Sequence, residues 1–248
     1  MSASAYATEV LADTPAAYYK LEESSGLPQD SSGNGNHITS SAGTLRRNTP
    51  GPFGISGSTG IDLESWLYRN VVNTTNVTWT VEAMIAIRDW KPAGPYGYPV
   101  SWGNPSTVGA GNGCAAGINN NTKKMMAVDH NQGIWAEATT ALSLCTWYML
   151  TWVRVSTGAS GGKYYVNGTA DGTVTTFGPS GGPTGNTLIN RTEPFFGLGQ
   201  SNDAFYAHIS IYNTALSAAR VSAHWTGVGS LADSPCITWL PQIYRRPQ

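Results

Sequence analysis

Trp79-Thr80-Val81-Glu82-Ala83-Met84-Ile85-Ala86-Ile87 is the stretch on which the fold turns. Val81, Ala83, Ile85 and Ile87 recur every second residue, so they share one face of an extended chain. Further on, Trp147-Tyr148-Met149-Leu150-Thr151-Trp152-Val153-Arg154 is apolar or aromatic on both faces, as a strand held between two layers requires. Shorter segments with strand character surround these two: 16–21, 98–102, 114–119, 124–129, 134–140, 162–166, 172–176, 187–190, 195–198 and 205–212. Turn chemistry separates them. Val166-Asn167-Gly168-Thr169 places Asn-Gly between two such segments, and both residues accept the positive φ of a tight hairpin. Many short strands at near-regular spacing predict an all-β, antiparallel sandwich or barrel.

One short helix is expected, near the C-terminal end, after a helical lead-in at the start. Residues 6–13 read as a short helical lead-in, stopped by Thr14-Pro15. Late in the chain Ser217 is a fitting N-cap, residues 218–225 follow, and Gly227 is the expected stop, with Val221 and Trp225 one turn apart on a shared face and Leu216 as a staple. The stretches 24–36 and 48–60, rich in Gly, Pro, Ser and Asn, read as loops. Neither a repeat nor a long linker divides the chain, so one domain is expected over residues 1–228, with an arm over 229–248.

Composition narrows the function. Only 12% of the 248 residues are charged and the net charge is −1, which argues against a nucleic-acid partner. Basic residues come at most in pairs, and no apolar run reaches the roughly 20 residues of a membrane-spanning helix; no membrane insertion is expected. The first ten residues lack a basic then apolar signal pattern, so the general secretory route is not expected either. Three cysteines (Cys114, Cys145, Cys236) are too few for a disulfide framework. Cys114 and Cys145 either pair across neighbouring strands or remain buried thiols.

The candidate sites are modest. Two G-x-S-x-G matches place Ser160 and Ser180 in Gly-rich loops with no helix after them, unlike a nucleophile elbow. Residues 111–116 resemble a dinucleotide fingerprint but lack its strand-helix context. Asp62 and Glu64 share a strand face, yet no third acid follows to separate their pKa values; Glu22 and Glu23 are adjacent and point apart. No catalytic residue is assigned, and a non-enzyme is expected. His224 is expected as a partly exposed helix residue. The aromatic residues Trp90, Tyr96, Tyr98, Trp102 and Trp135 lie in or beside polar loops and form the candidate ligand or glycan contact set, whereas Trp79, Trp147 and Trp152 belong to the core. In the loop Asp30-Ser31-Ser32-Gly33-Asn34-Gly35-Asn36, the side chains of Asp30, Asn34 and Asn36 either gather around a Ca²⁺ ion or make Asx-turns.

The order of these landmarks resembles a known family. The elements are TPAAYYKLEESSG (14–26), DSSGNGNHIT (30–39), WTVEAMIAI (79–87), WYMLTWVR (147–154), YYVNGT (164–169) and IYNTALSAARVSAHW (211–225). Together they are similar to the laminin-G-like, concanavalin A-like lectin/glucanase superfamily, in the version common in bacteriophage head-decoration and minor tail proteins. The likeness covers about residues 6–227. It implies a jelly-roll of two antiparallel sheets, one concave and one convex, that binds glycans or proteins through rim loops or the concave face, often with Ca²⁺. Asp30 matches the family's acidic loop residue; His208 stands where an acid is usual, which departs from any metal or acidic contact there. The implied role is a non-enzymatic virion protein in several copies or as a homo-oligomer. Its partners would be other capsid or tail proteins and cell-surface glycans. Its arm would anchor through Ile237, Trp239, Leu240, Ile243, Tyr244, Arg245 and Arg246. The alternatives are a bacterial carbohydrate-binding lectin module and, less in keeping with the residues, a polysaccharide-degrading enzyme.

Overall fold

A computed structural model describes residues 3–41, 45–53, 59–63, 67–69, 78–90, 96–102, 114–129, 133–134, 137–155, 161–174, 187–191 and 203–236. In chain order the elements are α1 (Ala3–Ala12), β1 (Ala17–Tyr19), β2 (Ser40–Ser41), β3 (Leu45–Pro50), β4 (Thr59–Leu63), β5 (Leu67–Arg69), β6 (Trp79–Asp89), β7 (Tyr96–Trp102), β8 (Cys114–Asn119), β9 (Lys124–Asp129), β10 (Gly133–Ile134), β11 (Tyr148–Arg154), β12 (Gly162–Val166), β13 (Thr169–Val174), β14 (Thr187–Arg191), β15 (Asp203–Tyr212) and α2 (Ala218–Val228). They form two antiparallel sheets. One runs β13-β12-β11-β6-β15-β4-β3, with β1 also paired to β15; the other runs β10-β9-β8-β7-β14-β5-β2.

The alternation in β6 sorts the molecule into layers. Val81, Ala83, Ile85 and Ile87 enter the interlayer core with Leu150 and Trp152 of β11, Trp102 of β7 and Ile118 of β8. The opposite face of the same strand is also covered. Met84 and Ala86 pack with Tyr6 and Val10 of α1, Met149 and Val153 of β11, and Val221 and Val228 of α2. Each large apolar side chain so buried contributes about 1.5–3 kcal/mol, and β6 does so on both faces. The two-sided apolar character of β11 has the same cause. The eight-stranded sheet is sandwiched between its partner sheet and a helical layer.

The Asn-Gly hairpin forms as expected, with Val166 opposite Thr169 and φ of 50° at Asn167 and 74° at Gly168. The Asn167 Oδ1 accepts the Met149 N–H at 2.9 Å, tying the turn to β11. Gly168 lies directly against Trp225: a Cβ there would come within 2.4 Å of the Trp225 Cβ. The turn therefore seats α2.

Several expectations need correction. Ser217 does cap α2, its side chain accepting the Arg220 N–H, but Gly227 does not end the helix. The helix runs on to Val228 and stops at Gly229, whose φ is 75°. Gly227 is instead a helix-contact residue, since a Cβ there would sit 3.2 Å from the Tyr6 Cα. The stretch 48–60, read as loop, contains parts of β3 and β4, which earn their structure from pairing with each other and with β15 rather than from propensity. Of the strand character expected at 134–140, Ile134 belongs to β10 and residues 137–140 are not strand, while residues 135–136 and the segment 195–198 lie outside the described residues. Cys145 is bonded to Cys236, with Cα atoms 5.5 Å apart, so the Cys114–Cys145 alternative is excluded. Spacing alone could not reveal this connectivity. The bond draws the first part of the expected arm onto the domain: Leu231, Ala232 and Cys236 pack on the outer core, and the Ala232 N–H donates to the Pro52 carbonyl at 2.7 Å. Ile237, Trp239, Leu240, Ile243, Tyr244, Arg245 and Arg246 lie outside the described residues.

Candidate functional site

The aromatic contact set separates in the structure. Trp102 is only 1% exposed and its ring lies 5.1 Å from that of Trp79 in the interlayer core. Tyr98, 2% exposed, packs with Ala115 and Met126. These two are corrections: both stand on β7, and strand packing outweighs the loop composition around them. The register irregularity between Gly97 and Val100 explains why Tyr98 belongs to a different cluster from Val100 and Trp102. Tyr96 begins β7 opposite Asn119; its side chain and Trp135 lie outside the description. Trp90, just past β6, is half-buried against the core edge.

Trp90 nonetheless stands at a defined end of the sandwich. There β6 ends, β7 begins, and the β8–β9 hairpin turns through Asn120-Asn121-Thr122-Lys123. Asn121, Thr122 and Lys123 are exposed. The Asn119 side chain fixes the turn, its Oδ1 accepting the Asn121 N–H at 2.9 Å while its amide donates to Glu137. The segment 137–147 lines the same end, held by N–H donations from Ala138 to Met125, Leu142 to Lys123 and Cys145 to Ile87. It leaves Leu144 42% exposed. The exposed 121–123 turn thus carries an amide, a hydroxyl and an ammonium on strand-anchored backbone, with half-buried Trp90 just past the end of β6, which are the group types of a polar-ligand contact surface.

Asp30, Asn34 and Asn36 do come together, but as a loop clamp. Asp30 Oδ1 accepts the N–H groups of Tyr18 (2.9 Å) and Ser32 (2.8 Å), and Oδ2 accepts the Ser32 hydroxyl (2.8 Å) and the Asn36 N–H (2.9 Å). Burial works to raise the carboxyl pKa; the donors from Tyr18, Ser32 and Asn36 outweigh it and hold the group below its usual range. Asn34 and Asn36 turn their NH₂ groups to the carbonyls of Pro15 and Ala16. All four lone-pair positions of the carboxylate are engaged and both amides present donors, so in this arrangement the three residues do not fit a bound cation.

Two further polar clusters were not expected. Glu82 is fully buried on the outer face of β6. The Tyr6 hydroxyl donates to its Oε1 (2.7 Å), the Thr151 hydroxyl to its Oε2 (2.9 Å), and His224 Nδ1 lies 3.0 Å from Oε1. His224 Nε2 sits 2.9 Å from Asp13 Oδ2, and Arg220 Nε donates to both Asp13 oxygens while its Nη2 donates to Glu9. His224 is 0% exposed rather than partly exposed. Burial lowers its pKa, but Glu82 and then Asp13 outweigh that and raise it, and only the imidazolium donates to both carboxylates. The signal was present: a glutamate inside an apolar strand demands a buried partner.

The second cluster centres on His208, also buried, at a bulge of β15 where its φ is 49°. Its Nδ1 meets the Tyr18 hydroxyl at 2.7 Å and its Nε2 faces Glu22 Oε1 at 3.5 Å. Burial lowers the His208 pKa, and the hydrogen bond to His208 lowers that of Glu22. Both clusters are packed against aromatic rings and hold α1, β1 and α2 to the sheet; their carboxylates face protein donors. Asp62 lies on β4, opposite Arg46 and Phe205, while Glu64, Ser160 and Ser180 lie outside the described residues. Residues 114–116, at the end of the fingerprint-like stretch, begin strand β8 rather than a helix. Among the described residues no three His, Cys, Asp or Glu side chains gather as a metal site.

A two-sheet antiparallel sandwich with a polar loop rim defines a lectin-like class of binding fold. Residues 56–222 match the family model described as the concanavalin A-like lectin/glucanases superfamily, and the chain belongs to that superfamily. No curated protein sequence matches it. Among solved structures, the botulinum neurotoxin serotype D binding domain superposes with a TM-score of 0.63 at 14% identity, covering 90% of this chain and 52% of the toxin domain. A botulinum neurotoxin type C structure, titled for cell entry that depends on interaction with two ganglioside molecules, gives 0.59 at 12%, covering 90% and 53%. Trypanosoma rangeli sialidase with the inhibitor DANA gives 0.56 at 11%, covering 84% and 32%. The chain thus spans about half or less of these relatives, and at such identities the likeness is one of fold.

Proposed function

We propose that the domain is a non-catalytic adhesion module that holds a glycan at the rim formed by Trp90, the Asn120–Lys123 turn and the 141–145 segment. We further propose that a bacteriophage particle carries it in several copies as a head-decoration or minor tail protein, with the residues from Ile237 to Arg246 engaging other virion proteins. The observation that carries the reading is the rim: the exposed polar side chains of the 121–123 turn, with half-buried Trp90 past the end of β6, on a sandwich of the lectin-like superfamily. The ganglioside-dependent toxin named above is a fold neighbour with a glycan partner. The buried carboxylates Glu82 and Asp30 accept hydrogen bonds from neighbouring protein groups, which leaves them poor candidates for glycoside chemistry. The phage assignment rests on the motif order of the sequence.

A glycan array probed with the full chain and with Trp90→Ala tests the binding role. Loss of about tenfold or more in affinity without loss of fold is expected. Unchanged binding would remove the rim from consideration, and hydrolysis of a bound sialoside or polysaccharide would overturn the non-catalytic reading. Mass spectrometry of purified particles tests the virion role.

A further inference from the structure

We propose that His208 is an acid-sensitive pin that holds an amino-terminal lobe, residues 15–39, on β15, and that mild acid opens this lobe while the rest of the sandwich stays closed. This goes beyond the adhesion reading and does not depend on what the rim binds. The lobe is first tied to itself. Asp30 accepts the N–H groups of Tyr18, Ser32 and Asn36, the Ser31 N–H donates to the Tyr18 carbonyl at 2.7 Å, and the Tyr19 hydroxyl donates to the Asn36 carbonyl at 2.6 Å. It docks on β15 through β1, whose Ala17, Tyr18 and Tyr19 pair with Ile211, Ser210 and Ile209. Ala17, Tyr19, Leu21 and Ile38 carry it into the interlayer core. Further along the same edge of β15, β4 pairs with residues 204–206. His208 stands where β15 exchanges β4 for β1, within the bulge that shifts the register against β6, and its φ is 49°.

The polar groups of His208 face the lobe. Its N–H donates to the Lys20 carbonyl at 3.1 Å, Nδ1 meets the Tyr18 hydroxyl and Nε2 faces Glu22. An ionised carboxylate only accepts, so Nε2 carries the ring proton and Nδ1 accepts from Tyr18. A second proton, on Nδ1, sets two donors against each other across 2.7 Å and places a charge on a ring that is 0% exposed. Around the ring stand Tyr6 of α1, whose hydroxyl is committed to Glu82 of β6, and Phe53 beyond β3. Burial, helped by the Lys20 ammonium, outweighs the attraction of Glu22 and holds the closed ring below the ordinary histidine range. In the opened lobe the ring takes its proton at about pH 6.5. Below that the open state binds one proton more than the closed one, so its population rises about tenfold per pH unit until the closed ring also titrates. Asp30 and Glu22, both lowered, stay ionised over this window, and His224, raised, is already an imidazolium. His37, whose Nδ1 accepts the Asp30 N–H at 3.1 Å within the lobe, is the histidine to be controlled for.

Amide exchange of the full chain, expressed as protection factors from about pH 7.5 to about pH 5.0, tests the pin, with the His208 ring followed by NMR on the same samples. Between about pH 6.5 and 5.0, protection of the Ala16 and Ser31 amides should fall about tenfold, within the ceiling of roughly thirtyfold for a single proton, while β6 and β11 keep theirs. The ring resonance should hold its neutral position through pH 6.5. His208→Asn tolerates the positive φ and still offers Tyr18 an acceptor; it should make Ala16 and Ser31 flat over this range, whereas His37→Asn should leave the fall in place. The proposal is overturned if wild-type protection there changes by less than about twofold, if β6 and β11 fall in step with it, or if His208→Asn falls as the wild type does. Should that variant not fold, a wild-type ring titrating at the ordinary value of about 6.5 overturns it equally.

Discussion

Replacing His224 with Leu removes the imidazolium hydrogen-bonded to Glu82 while preserving apolar volume. Glu82 is fully buried, keeps the Tyr6 and Thr151 hydroxyls as donors, and loses its counter-charge. Breaking a buried pair from one side costs about 3–5 kcal/mol. Asp13 adds little, about 0–1 kcal/mol, because it stays paired with half-exposed Arg220. The loss belongs to the stranded carboxylate, so His224→Leu combined with Glu82→Gln should recover about 2 kcal/mol or more of it. Urea unfolding of the wild type, the two single variants His224→Leu and Glu82→Gln, and the double variant reads this directly. The sign with pH follows from the raised pKa of His224: the pair's stabilisation is complete below the ordinary histidine value of about 6.5 and is lost as pH rises through the higher folded-state value. The difference between wild type and His224→Leu should therefore shrink on the alkaline side. A single-variant cost under about 1 kcal/mol, or a difference flat from acid to alkaline pH, would refute the ion-pair argument.

Asp30→Ala should cost about 2–4 kcal/mol by orphaning the donors that converge on the carboxylate, read by thermal and urea unfolding. Because the Asp30 pKa is lowered, that contribution is present above about pH 3.9 and disappears as pH falls through the depressed value. Added calcium should leave the wild-type melting temperature unchanged; a calcium-dependent rise that Asp30→Ala abolishes would show the loop rearranging around an ion. Gly168→Ala should cost about 2–4 kcal/mol, since its φ of 74° and the Trp225 contact both oppose a Cβ, and near-neutral behaviour in urea would show that the turn is not what seats α2. Gly227→Val should prise α1 from α2, seen as faster exchange in both helices with the sheets unaffected.

The layered fold was legible wherever one physical demand dominated. The period-two pattern of β6, the two-faced apolarity of β11 and the Asn167-Gly168 turn each admit one local geometry, and each formed. Legibility failed where the deciding partner lies far along the chain. Strands β3 and β4 are Pro- and Gly-bearing; they pair with each other, and β4 joins the sheet by pairing with β15, some 150 residues away. His224 looked like a surface residue because its helix gives no hint of Glu82 and Asp13. The binding site was harder still: aromatic residues near loops read alike whether they face solvent, as Trp90 partly does, or turn inward on a strand, as Trp102 does. The cysteine pairing was beyond local reading altogether.

In both layers the strand that ties the amino-terminal pieces to the rest arrives late. β14 bridges β5 to β7, and β15 bridges β1 and β4 to β6. During synthesis β1 and β4 must therefore wait for residues 203–212 to emerge, with their edges unsealed until then. Such long-range closure makes maturation slow and leaves half-made chains vulnerable to sticking to one another.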